Sequence, residues 1–250
     1  MNEIDRLAPA QRPDGKVVMQ PGWHDLLFLH WPVPPETVGH LLPQGLELDT
    51  YAGYAWIGLV PFTMTRVRPN WAPRVSFSRE LYEDFHETNV RTYVHCNGQS
   101  GVWFFSLDAA SAPAVAAARA WYKLPYFWSR MSLKHKADGS VAYTSRRLTL
   151  PPVPATLNVK ARPYGAIFQS TVGSLEHFLV ERYILYSQAK GRLFRGRVHH
   201  QPYQVRWAEV ISCEENLIAA AGLSNPGTKP HALYSRGVNV DIFALESVDK

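Results

Sequence analysis

The chain has 250 residues, 46% of them hydrophobic and 19% charged, with 26 Lys and Arg against 21 Asp and Glu for a net charge of +5. That is apolar enough to bury a sizeable core and excludes a disordered chain. No run reaches the ~18 consecutive apolar residues of a membrane span, residues 1–16 lack the apolar centre of a signal peptide, and Cys96 and Cys213 offer neither a disulfide framework nor metal-type spacing. The expectation is a cytoplasmic protein with a disordered leader over 1–16 and one domain over 17–250.

In chain order, alternating apolar residues predict strands at 17–20, 24–31, 46–51, 54–62, 88–96 and 101–108. A hairpin turning at Asp138-Gly139 joins 130–136 to 140–149. Further strands are expected at 157–160, 165–172, 193–199, 204–213 and 238–247. Three helices interrupt them: one after Pro34-Pro35 ending at LLPQG, one over 113–122 capped by Ser111, and one over 174–187 opened by Ser174. So many short strands in one domain favour a barrel or sandwich over a doubly wound sheet. The stretch 63–85 has no clean period and mixes prolines with Trp71, Phe77, Tyr82 and several arginines; it reads as a lid or an ordinary crossover.

Within 86–95, HETNVRTYVH, a strand separates two faces. Thr88, Val90, Thr92 and Val94 share one side; Glu87, Asn89, Arg91 and Tyr93 share the other. The second row meets water or lines a cavity. Familiar catalytic signatures are missing: no G-x-S-x-G, G-x-G-x-x-G, Walker loop or H-E-x-x-H occurs. His199 and His200 are neighbours that point to opposite faces of a strand, and His24 and His30 have no matching acidic partner in the local sequence, so neither a metal nor another cofactor is expected. Residues 190–206 interleave Lys190, Arg192, Arg195, Arg197 and Arg206 with Phe194 and Tyr203, a mixture that single-strand binders use. Without a nucleic-acid-binding motif, a solvated hairpin face is the simpler reading.

The runs WHDLLFLHWPVPPETVGHLLPQGLELD (23–49), ETNVRTYV (87–94), GVWFFSLDAAS (101–111), ERYILYS (181–187) and GRLFRGRVHH (191–200) resemble, in their usual order, the uncharacterised YqjF-like family of bacterial proteins. The match runs from Val17 onward. That family is similar to the acetoacetate decarboxylase-like superfamily. The resemblance implies a mainly β fold, a closed or cone-shaped antiparallel β-barrel with a cavity inside, and the polar row of 87–93 pointing into its lumen.

The superfamily's decarboxylases form a Schiff base on a lysine that follows a proline after a short helix. In RAWYKLPYFWSRM the residues after Pro125 are Tyr126 and Phe127, and tyrosine cannot form an imine. Lys123 is an alternative nucleophile, although a lysine at a helix end is usually a cap. What remains is a cavity with an anion clamp: Arg91 presents a planar fork matched to a carboxylate, Asn89 and Tyr93 add polar contacts, and Arg182 and Tyr183, placed on the third helix, either join them or pack against the barrel. Glu87 and Tyr126 are the candidate acid and base; Glu87 and Arg91 could instead form a structural salt bridge. Three readings follow: a binding barrel for a small anionic molecule, an enzyme acting on a small organic acid, or a nucleic-acid binder. A membrane partner is not expected, and homo-oligomer formation is left open.

Overall fold

The computed structural model describes residues 4–67, 84–148 and 155–248. Its strands are β1 (Val17–Met19), β2 (Gly22–Val33), β3 (Glu47–Leu48), β4 (Ala55–Thr65), β5 (Phe85–Cys96), β6 (Gln99–Ala109), β7 (Tyr126–His135) and β8 (Val141–Arg147), followed by β9 (Thr156–Gln169), β10 (Ile184–Ala189), β11 (Arg192–His199), β12 (Gln204–Glu215), β13 (His231–Asn239), β14 (Asp241–Phe243) and β15 (Glu246–Ser247). The α-helices are α1 (Glu36–Gly39), α2 (Ala112–Trp121), α3 (Leu175–Val180) and α4 (Leu217–Ala220). The chain is therefore mainly β, as expected.

Pairing runs from β5 through β6, β7, β8, β9, β12, β13, β2 and β4 back to β5, so this path of strands is a ring. Most pairs are antiparallel. Two are parallel, β6 with β7 and β6 with β10, a departure from the all-antiparallel expectation. The physical reason for the first is α2, which returns the chain from the end of β6 to the start of β7 as a crossover.

The faces of the ring differ in what covers them. Leu27, Leu29, Trp31, Ile57, Leu59, Val90, Val141, Tyr143, Leu157 and Val159 form one buried cluster drawn from strands all around the ring, joined by Leu217 and Ile218 of α4. Only the inward face can supply that set, so the interior is a packed core. The opposite face is exposed at Arg130, Lys134 and Thr144 of β7 and β8. Over β2, β4, β5 and β6 the same outer face is buried, gathering Leu26, Phe28, Val60, Phe62 and Leu107 into a second cluster with Phe178 and Leu179 of α3.

The second layer originates at a fork in β6. Its Val102 and Trp103 pair with β10, whereas its Leu107–Ala109 end pairs with β7. The ring continues into β7; β10, β11, β14 and β1 leave it as an outer sheet. α2 sits at the fork, with Ser111 accepting a hydrogen bond from the Ala114 amide at its start.

Several expected elements change on folding. The third helix stops at Val180; Ile184–Ala189 is strand β10, because ILYSQA gains a backbone ladder with β11 and β6 that a helix would forgo. Arg182 and Tyr183 are consequently not helical. The strands expected at 157–160 and 165–172 are one long β9, and β13 covers 231–237, where none was expected. Of the 63–85 segment, residues 68–83 lie outside the described residues; Thr63–Thr65 extend β4 and Phe85 opens β5. Within the expected leader, Asp5 bridges Gln99 and Arg6 pairs with Asp49. No helix among the described residues is long and apolar enough to cross a membrane.

Candidate functional site

β5 carries the polar row as its alternation requires, and all four members are buried: Glu87 is 2% exposed, Asn89 5%, Arg91 9% and Tyr93 0%. Cross-strand partners set their face. Glu87, Asn89 and Arg91 lie opposite Phe62, Val60 and Gly58 of β4, on the outer side of the ring. The row therefore does not look into the ring's lumen, as the resemblance implied; the lumen is filled by the apolar core. It looks into a cavity of about 310 Å³ between ring and outer layer. This cavity lies in the fork of β6, bounded by Phe104 and Leu107 of β6, Tyr126 of β7, Leu185 of β10 and the Ala114, Ala118 face of α2.

Three of the four row members reach the cavity. Tyr93 stands behind the wall, donating to the Leu179 carbonyl at 2.8 Å, with its hydroxyl 2.7 Å from His30 Nε2. Arg91 is held by its terminal nitrogen, which donates to the same Leu179 carbonyl at 3.0 Å and to the Tyr93 hydroxyl at 3.3 Å. Its Nε has no partner, and neither has Oδ1 of Asn89. No carboxylate among the described residues forms an ion pair with Arg91, so the expected alternative of a Glu87–Arg91 salt bridge is not made.

Glu87 is engaged elsewhere. Tyr126, which opens β7 directly after Pro125, donates its hydroxyl to Glu87 Oε2 at 2.9 Å. Burial, opposed by that hydrogen bond and reinforced by the charge of Asp108, pushes the Glu87 carboxyl up to about 8. Burial and the neighbouring Glu87 hold the Tyr126 phenol well above its ordinary range, so both groups are neutral near pH 7. Asp108 itself is locked in a bidentate bond with Arg147 at 2.9 and 2.8 Å and accepts from Ser129 at 2.6 Å.

Arg182 does not line the cavity. It pairs with the buried Asp49 at 2.7 Å, donates to the Phe178 carbonyl at 2.7 Å and lies over the Phe178 ring. Its role is to anchor α3, whose Leu179 carbonyl in turn holds Arg91. Tyr183 donates to Glu181, whose other oxygen accepts from the Tyr203 amide. No lysine is among the described residues that line the cavity. Lys123 lies over the Phe194 ring, Lys160 pairs with Asp138, and Lys134 and Lys136 are exposed.

Tyr203 was missed as a site residue. It lines the cavity with its ring 5.3 Å from Phe28, although by sequence it belonged to the basic segment. No local pattern singles it out. In that segment Arg195 and Arg197 both meet Glu246, and Arg192 donates to Ser247. Tyr203 itself is buried, and Arg206 donates to the Gly165 carbonyl, while Lys190 and Arg192 remain exposed.

Comparison with known proteins agrees with this architecture. The model of DUF2071, a family described as an uncharacterized conserved protein, matches residues 20–239. The uncharacterized protein YqjF of Bacillus subtilis (strain 168) is 36% identical over 233 residues, 93% of each chain. Among solved structures, an acetoacetate decarboxylase-like enzyme from Sphingomonas wittichii RW1 superposes with a TM-score of 0.64 at 12% identity over 96% of both chains. Acetoacetate decarboxylase from Legionella pneumophila gives 0.62 at 10% identity, covering 99% of this chain and 97% of its own. The enduracididine biosynthesis enzyme MppR complexed with pyruvate gives 0.63 at 10% identity, covering 95% and 93%. At such identities the structures speak for the fold alone. The chain belongs to the DUF2071 family and has an acetoacetate decarboxylase-like fold.

Proposed function

We propose that this protein is a closed β-barrel whose cavity, set between barrel and outer layer, binds a small organic anion at Arg91. One observation carries the reading: a guanidinium buried in a cavity wall has no carboxylate partner among the described residues and an unpartnered Nε. A buried charge without a counter-ion is costly, and an incoming carboxylate relieves that cost through charge-assisted bonds. The pyruvate complex of MppR, on the same fold, is in keeping with an acid as ligand. Asn89 offers a second polar contact beside Arg91, and Tyr203 a third.

A second reading rests on Glu87. A carboxyl raised to about 8 and bonded to Tyr126 is an acid that keeps its proton at neutral pH, the property a general acid needs. In this reading Glu87 exchanges a proton with the bound acid or carbonyl compound and Tyr126 orients it. Chemistry through an imine is not proposed, since no described lysine faces the cavity. The paucity of cysteine, two in the chain, suits a cytoplasmic location.

Thermal denaturation tests the anion reading. Small carboxylates should raise the melting temperature where their amides and alcohols do not, by about 2.7 kcal/mol of stabilisation at ~100 times the dissociation constant. Arg91→Ala should abolish the effect. Equal stabilisation of the variant would remove Arg91 from the site.

A further inference from the structure

We propose that the ligand is an elongated monocarboxylic acid of about ten non-hydrogen atoms in all, its charged end on Arg91 and its apolar body running along β5 toward Phe85 and the alanine face of α2. This rests on the anion-binding reading of the same cavity and adds what the rest of the ligand must be.

The first observation is length. Arg91, Asn89, Glu87 and Phe85 all line the cavity from one strand. Six residues of strand separate the two ends, roughly 20 Å at 3.3 Å per residue. The lining contributed by β5 thus extends along the strand, with its cation at one end. Opposite Phe85 stands Met64, and Met19 and Ile242 of the outer layer also line the cavity.

The second is chemistry. Beyond the row on β5 and the tyrosines Tyr122, Tyr126 and Tyr203, the walls are mostly hydrocarbon, from residues such as Leu26, Val60, Phe62, Leu107, Leu185 and Val198. A two- or three-carbon acid seated on Arg91 would leave most of about 310 Å³ against hydrocarbon. Water gains little against that hydrocarbon, which offers it no hydrogen bonds. At ~30 Å³ for each water-sized group the space corresponds to about ten such groups, which an alkyl or aryl-alkyl chain fills favourably.

The third is α2. Ala114, Ala117 and Ala118 recur at helical spacing and all three line the cavity, whereas Val115, off that face, is buried in the adjoining core. Small side chains there make the room; a larger one would occupy it. Arg91 and Asn89, each at least nine-tenths buried and each with an unpartnered atom, mark the polar end independently.

The test is a titration of the protein with straight-chain acids from acetate to decanoate, with octanol as the uncharged control, followed by NMR or calorimetry. Affinity should rise about fourfold per methylene and level off near eight to ten carbons, with octanol far weaker than octanoate. Ala118→Leu, and separately Ala114→Leu, should weaken octanoate at least tenfold and leave butanoate within twofold, in variants whose circular dichroism matches the parent. An acetate that binds through Arg91 as tightly as octanoate would overturn the apolar body while sparing the anion site. Failure of every acid to bind would overturn the anion reading, and this inference with it.

Discussion

Glu87 is the group whose behaviour most directly tests the environment described. Its carboxyl titrates at about 8 in the folded chain, against an ordinary 4.5 when unfolded. Between those values the unfolded chain has lost a proton that the folded chain retains, so stability from this group falls as pH rises through the window and is constant above it. Glu87→Gln can still accept from Tyr126 but cannot titrate. The melting temperature of the parent, measured against that of Glu87→Gln, should therefore decline from pH 5 to 8 and then level; a difference independent of pH would place Glu87 in contact with water. Asp49 poses the complementary case. It is wholly buried and serves as counter-ion to Arg182, itself 2% exposed at the side chain. Removing one partner leaves the other charge uncompensated, so Asp49→Ala should cost about 3–5 kcal/mol by chemical denaturation. A loss under 1 kcal/mol would mean that Arg182 reaches solvent. The sequence placed Glu87, Asn89 and Arg91 on one face by alternation alone. It misjudged Tyr93 and Arg182, because which end of a cavity is closed off, and by what, depends on α3 and β2 arriving from far along the chain.

Strand β6 shows why local pattern left the outer layer hidden. One edge of it pairs with β5, and the other is shared between β10 and β7. Close approach at the shared edge needs Gly101: a Cβ there would come within 2.6 Å of the Ile184 carbonyl and 2.7 Å of the Tyr186 ring. Backbone cannot yield as a flexible side chain would, so Gly101→Ala should destabilise by about 1–3 kcal/mol. A melting temperature unchanged by that substitution would show that β10 does not dock as described. The same fork explains the shortened third helix. LEHFLVERYILYS has apolar residues at helical spacing, yet its second half is β-branched and aromatic, and pairing partners on both sides decide for strand. The helix over 112–121 was legible because its signals are local: a Ser111 cap, Pro113 in the first turn and an alanine-rich run. The Asp138-Gly139 turn was legible for the same reason, with Gly139 at φ +77.

Closure of the strand ring has a mechanical consequence. Every strand of the ring is paired on both sides, and one continuous apolar cluster fills the interior. Without an unpaired edge from which to peel, the ring should open all at once. Unfolding in urea followed by tryptophan fluorescence and by far-ultraviolet circular dichroism should therefore give superimposable curves; two separated midpoints would show that the outer layer detaches before the ring. The amino-acid sequence by itself determined the mainly β character, the turn and cap positions and the face on which Glu87, Asn89 and Arg91 lie, since these follow from alternation and local backbone chemistry. Its long motifs also pointed to the family. Only the tertiary structure decided which face of the sheet became interior. Both faces of β5 read as buriable, and the apolar Val90 face closed on itself within the ring while the polar row was left to an outer layer of β10, β11, β14, β1 and α2. Alternation assigns side chains to two faces but carries no sign for inside and outside. Ring curvature, and the non-local pairing that imposes it, supplies that sign.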